Sequence, residues 1–233
     1  MVKSRAPNYE YIVEVSKSHI DSILEVKKFN PYHGKDGRFS SASGGSGASL
    51  AMGVGNYIPE GKREAVSATI QSAEAKNKGL DHEVATIVDP DTGKAIFSKE
   101  GGRYGVQFNS SELWEIKGKV ITHNHPDHVI FSPSDVAVAY NVKAIRATNP
   151  DGKVYELSGM KNRMAVQAYN QHYMGERAKS LEKLGLDAKT RDKDMTPEQR
   201  KSSFADISKS CDKWLTDNAS KYRYEYRVGR IEE

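Results

Sequence analysis

Between Val120 and Tyr140 the chain reads Val-Ile-Thr-His-Asn-His-Pro-Asp-His-Val-Ile-Phe-Ser-Pro-Ser-Asp-Val-Ala-Val-Ala-Tyr, and no other stretch limits the fold as tightly. Val120, Ile121 and Thr122 are β-prone, so a strand is expected to run into His123 and His125, which at a spacing of two share one face. Pro126 ends that strand. Ser132, with Pro133 at the first helical position, then opens a helix whose body starts at Val136. The stretch is therefore a strand-turn-helix unit of an α/β fold.

Two imidazoles side by side can chelate one metal ion. Asp135, in the first turn of the helix, is placed to face back toward them. Two histidines and one aspartate leave the fourth position of a tetrahedral zinc open to water, which is how hydrolytic zinc sites differ from closed structural ones. Ser132 and Asp135 also have the spacing of a capping box, and an acidic residue in a first turn is favoured by the helix dipole without any metal. Both readings stand on the sequence alone. His128 has a spacing that fits no ligand position and is read as a rim residue. Cys211 is the only cysteine, so no intrachain disulfide and no Cys-rich zinc finger can form; any metal must be held by histidine and carboxylate.

His123-Asn124-His125-Pro126 followed by Ser132-Pro133-Ser134-Asp135 resembles the His-x-His-Pro…Ser-x-x-Asp signature of the JAMM (JAB/MPN) metallopeptidases, in the His-Asn-His-Pro form of the RadC-like branch. The resemblance covers roughly residues 60 to 158. It implies a mixed β-sheet flanked by helices and a Zn2+ ion held by His123, His125 and Asp135. It further implies that Glu83, in Asp81-His82-Glu83-Val84-Ala85-Thr86-Ile87-Val88, takes a proton from the attacking water, and that Ser132 hydrogen-bonds the developing oxyanion. Asp135 lies ten positions after His125, one fewer than is usual in that family, so the turn between them must be tighter. The activity implied is hydrolysis of a peptide or isopeptide bond in a protein substrate. The other reading is a catalytically weak JAMM-like module with a structural or interaction role. A nuclease of the HNH type spreads its residues over a longer hairpin and helix, and fits less well.

Around this unit, Pro59 to Lys78 reads as a helix, Glu83 to Val88 and Lys94 to Ser98 as a hairpin around Asp89-Pro90-Asp91-Thr92-Gly93, and Tyr104, Val106 and Phe108 as a third strand. Ser110 or Ser111 caps a short helix. The helix from Ser132 is expected to reach about Lys143, with strands Ala144 to Thr148 and Lys153 to Leu157 after it. Met160 to Leu184 and Pro197 to Thr216 read as helices, His172 being a packing residue of the first. The alternation of Tyr222, Tyr224, Tyr226 and Val228 with Arg223, Glu225 and Arg227 predicts a final edge strand, with an RNA-stacking platform as its other reading.

Upstream, Tyr9 to Val15 alternate and Ile20 to Val26 follow helical spacing. Phe29-Asn30-Pro31-Tyr32-His33 and Asp36-Gly37-Arg38-Phe39 resemble a short motif of phage and prophage head-associated proteins, and Ser40 to Ser49 is linker-like in composition. Four segments are expected: 1–28, a strand and helix; 29–58, a turn-rich motif and Ser/Gly linker dispensable for folding; 59–158, the JAMM-like domain; and 159–233, a helical extension ending in a strand.

With 233 residues and 37% hydrophobic content the chain can bury one good core. A net charge of +4 from 35 basic and 31 acidic residues makes nucleic acid an unexpected partner, and no apolar run has the length of a membrane span. Expected partners are a protein or peptide substrate and phage structural proteins. The expected location is the cytoplasm of a bacterial host, with virion association as a further option.

Overall fold

The computed structural model describes residues 52–127 and 129–231. The strand and helix expected within 9–28, the Phe29–Phe39 motif, the Ser/Gly run and His128 lie outside the described residues. Six strands form one sheet: β1 (Val84–Val88), β2 (Ala95–Glu100), β3 (Val120–Asn124), β4 (Ala144–Thr148), β5 (Lys153–Ser158) and β6 (Glu225–Arg230). Their order across the sheet is β2-β1-β3-β4-β5-β6. Only β3 and β4 run parallel; every other neighbouring pair is antiparallel. The sheet is thus mixed, as expected, and among the described residues five α-helices flank it: α1 (Glu60–Asn77), α2 (Ser110–Glu115), α3 (Pro133–Ala139), α4 (Arg163–Lys183) and α5 (Pro197–Tyr222).

The pleat sorts side chains between the two faces. On one face Val88, Val120 and Ala144 meet Val66 and Ile70 of α1 and Val54 and Ile58 of the segment before it, forming an apolar cluster. The same face carries Arg146, fully buried. Its guanidinium donates to Glu74 of α1 at 2.7 Å, to Glu156 of β5 at 2.6 Å and to the carbonyl of Met52 at 2.9 Å. Thr122 and Tyr57 hydroxyls and the Arg227 guanidinium complete the ring of donors around the two carboxylates. A buried ion group survives only when each charge has its partner and each lone pair its donor, and this one has both. On the other face Phe131 lies edge-on to Tyr155, and Tyr226 donates to Asp212 of α5. The helices α3, α4 and α5 pack in succession on that side.

Local chemistry sets the boundaries. Thr196 and Gln199 cap α5 reciprocally, and Asn109 with Glu112 does the same for α2. The turn after β1 needs a left-handed residue at Gly93 (φ +70°), where an added Cβ would also lie 2.7 Å from the Cβ of Ala65.

Five expectations are corrected. The cap of α2 is Asn109, not Ser110 or Ser111, which are the first residues of the helix itself. Tyr104, Val106 and Phe108 form no strand; only an isolated bridge joins Gly102 to Gly105, because Lys99 of β2 pairs with Glu112 and covers the Phe108 ring instead. The helix from Ser132 stops at Ala139, four residues early; the carbonyls of Tyr140 and Val142 are taken by the Lys161 ammonium. Residues 52–58 belong to the fold rather than to a dispensable linker, with the compact unit beginning at Leu50 and Ile58 fully buried. Finally, the strand expected from Tyr222 begins only at Glu225: Tyr222 closes α5, which runs past the expected Thr216, and β6 then pairs along the whole of β5 at the sheet's edge, as expected.

Candidate metal centre

The site lies where β1 begins and β3 ends. Ala85 pairs with His123 in the antiparallel register, so continuing that register two residues puts Glu83 opposite His125, on the same face of the sheet. The three side chains are buried, and each offers a ligand atom within 4.8 Å of the others. The Nε2 atoms of His123 and His125 are 2.8 Å apart, and the rings meet edge-on. Asp135, arriving from the first turn of α3, puts Oδ1 at 3.4 Å from His123 Nε2 and Oδ2 at 3.5 Å from His125 Nε2. Those two distances decide what Asp135 can do. They are long for charge-assisted hydrogen bonds, but two ligands of a tetrahedral zinc with bonds of about 2.0–2.1 Å stand roughly 3.3–3.4 Å apart.

The capping reading of Asp135 is also realised. Its Oδ2 accepts from the Ser132 N–H at 2.7 Å and from the Ser132 hydroxyl at 2.8 Å, while the Asp135 N–H donates to Ser132 Oγ at 3.3 Å. Capping and metal binding are therefore not alternatives: the box holds the carboxylate by one oxygen and aims the group at the histidines. The shortened turn reaches far enough. Ser132, expected as an oxyanion donor, spends its hydroxyl proton on Asp135 in this arrangement.

Electrostatics agree with a cation site. His125 donates from Nδ1 to the Val129 carbonyl at 2.8 Å, which fixes the ring and turns Nε2 toward His123 and Asp135. Burial pulls the His125 pKa down, but the hydrogen bond and charge of Asp135, then Glu83 and the Val129 carbonyl, outweigh it and lift it to about 9. Burial works against the Asp135 carboxylate too, yet the two imidazoles hold it well below the usual range. Burial raises the pKa of Glu83, offset by His125 and His123 and reinforced by Asp135 and Asp127. Nδ1 of His123 is buried without a hydrogen-bond partner. Glu83, His123 and His125 form a group that could hold a metal ion, with the Asp135 carboxylate beside the two imidazoles.

Other side chains support the site without having been singled out from sequence. Asn124 bonds to the backbone on both sides of Glu83. Gly101 and Gly102 pair with the Glu83 backbone from the other side, and a Cβ on Gly101 would meet the Gly105 carbonyl at 2.3 Å. Asp127, two residues past His125, takes a bidentate pair of bonds from Arg103. A Gly-Gly pair and an asparagine inside His-x-His were visible, but only the register makes them neighbours of Glu83. No family model, curated protein or solved structure matches the chain.

Proposed function

We propose that this protein is a zinc-dependent hydrolase of the JAMM type, cleaving a peptide or isopeptide bond in a protein substrate. The observation that carries the reading is the convergence of His123, His125 and Glu83, all buried, with the Asp135 carboxylate 3.4 and 3.5 Å from the two imidazoles. When bound, zinc would polarise the scissile carbonyl and make water a nucleophile near neutral pH. Glu83, buried and with a raised pKa, accepts the proton of the attacking water and delivers it to the leaving amine. Asp135 and the fixed tautomer of His125 hold the donors in place. Ser132 can turn its hydroxyl to a developing oxyanion only by giving up its bond to Asp135, whose Oδ2 keeps the Ser132 N–H. That engagement favours a second reading, in which the site binds metal and the module serves assembly rather than turnover. A phage or prophage setting rests on the Phe29–Phe39 motif.

Elemental analysis and a Glu83→Gln comparison test this. The purified protein is expected to carry about one zinc per chain, with the His123→Ala, His125→Ala double variant losing it. Glu83→Gln should keep the zinc and lose at least a hundredfold in peptide-library turnover. Full zinc in the double variant overturns the site, and unchanged turnover in Glu83→Gln overturns the chemistry.

A further inference from the structure

Asn124 lies between the two histidines in sequence, and strand alternation turns it away from them. The β1–β3 ladder runs from Val88 with Val120 to Ala85 with His123 and stops there. One step further, where Val84 would face Asn124, the Val84 N–H donates to the Asn124 side-chain Oδ1 at 2.8 Å. The Nδ2 of the same amide donates to the His82 carbonyl at 2.8 Å. Asn124 is 2% exposed, so neither bond has water as a ready substitute. One side chain thus grips the peptide units on either side of Glu83. From the opposite side the Glu83 N–H donates to the Gly102 carbonyl and the Glu83 carbonyl accepts from the Gly101 N–H.

A backbone ladder continued through these residues would bring Glu83 and His125 to within about 4.5–5.5 Å at Cα. That would press the carboxylate against the imidazole. Past Ala85 and His123 the side-chain amide of Asn124 takes the place of the backbone ladder. Asparagine suits this place because it supplies one acceptor and one donor in a fixed plane; aspartate lacks the donor, and serine lacks the reach.

We propose that Asn124 is the positioning residue for Glu83, holding the end of β1 off the regular ladder so that the carboxylate stands across a metal-sized gap from the two histidines. This rests on reading His123 and His125 as metal ligands with Glu83 beside the ion. The full chain is compared with Asn124→Ala, Asn124→Asp and Glu83→Gln by two measurements. In metal-free protein, amide hydrogen exchange at Val84 should quicken about tenfold in Asn124→Ala, with Ala147 of β4 unchanged. With cobalt(II) as the probe, Asn124→Ala should bind within about threefold of wild type, because its ligands are untouched. Its visible absorption bands should nevertheless shift in the direction seen for Glu83→Gln. Should Asn124→Ala not fold, Asn124→Asp carries the comparison: it keeps the acceptor for Val84, loses the donor to His82, and should give a smaller shift of the same sign. Val84 exchange at the wild-type rate overturns the proposal, as do wild-type bands in the Asn124 variants beside shifted bands in Glu83→Gln. Bands unmoved in Glu83→Gln also overturn it, by removing Glu83 from the metal's surroundings. A wild-type chain that takes up no cobalt(II) overturns the hydrolase reading instead, and the exchange rate then decides the clamp by itself.

Discussion

Raising the pH of the metal-free protein from about 6 to about 9.5 should remove about 3 kcal/mol of folding stability. An unperturbed imidazole titrates near 6.5, and His125, despite the burial that opposes its charge, is carried to about 9 by Asp135, Glu83 and the Val129 carbonyl. A group whose pKa is raised by folding contributes its full stabilisation below the unfolded value and loses it as the pH passes through the folded value. The difference of about 2.5 pKa units at 1.36 kcal/mol each gives the figure, spread over the window from 6.5 to 9. The depressed pKa of Asp135 describes the same charge pair from its other end and is not added. Its contribution is present above the unfolded carboxylate value and is lost only at acid pH. The assay is urea denaturation in the presence of a chelator, in half-unit pH steps. Asp135→Asn is the control, since it removes the charge that raises His125 and should flatten the curve above about pH 7. A wild-type midpoint that stays level between pH 6.5 and 9 refutes the reasoning, as does an undiminished slope in Asp135→Asn. Metal affinity follows the same proton: it should climb about tenfold per pH unit until about pH 9, where nothing remains to displace.

Arg146→Leu should cost about 3–5 kcal/mol, because it leaves the buried Glu74 and Glu156 with only Arg227 as a cation; a loss under about 1 kcal/mol by denaturation would contradict the network. Gly93→Ala should cost about 2 kcal/mol or more, combining a left-handed backbone with a Cβ 2.7 Å from that of Ala65, and a thermal midpoint equal to wild type would count against it. Starting the chain at residue 50 should preserve the melting transition, whereas starting it at residue 59 removes the buried Val54 and Ile58 and should cost at least about 3 kcal/mol. Equal midpoints for the two truncations would restore the linker reading.

The elements legible from sequence were those whose signals are local. Thr196 with Gln199 and Ser132 with Asp135 cap helices through bonds spanning three residues, and of the alternating Tyr222, Tyr224, Tyr226 and Val228 the last two lie in the edge strand that pairs with β5. His123 and His125 were legible because a spacing of two has one meaning on a strand. What escaped depends on partners far along the chain. Tyr104, Val106 and Phe108 alternate as well as any strand, but Lys99 and Glu112 close over that edge. Met52 to Ile58 looks like linker because its glycines dilute its apolar residues, and what fixes it is distant in sequence: the apolar cluster that takes Val54 and Ile58 and the carbonyl bonds to Arg146 and Arg227. Asn124 carries no local signal of its role, because its two bonds reach 40 and 42 residues back.

The charged ring about Arg146 has a bearing on how this molecule can be divided. It joins the strap at Met52, α1 at Glu74, β4, β5 at Glu156 and β6 at Arg227. No member can leave without stranding a charge in an apolar interior, so these pieces should melt together rather than fray one at a time. An excised 59–158 fragment would retain Glu83, His123, His125, Ser132 and Asp135 and lose the Arg227 guanidinium that pairs with Glu156 and the Met52 carbonyl that accepts from Arg146. Grafting the centre onto another protein would therefore require carrying residues 50–231 as an indivisible cargo.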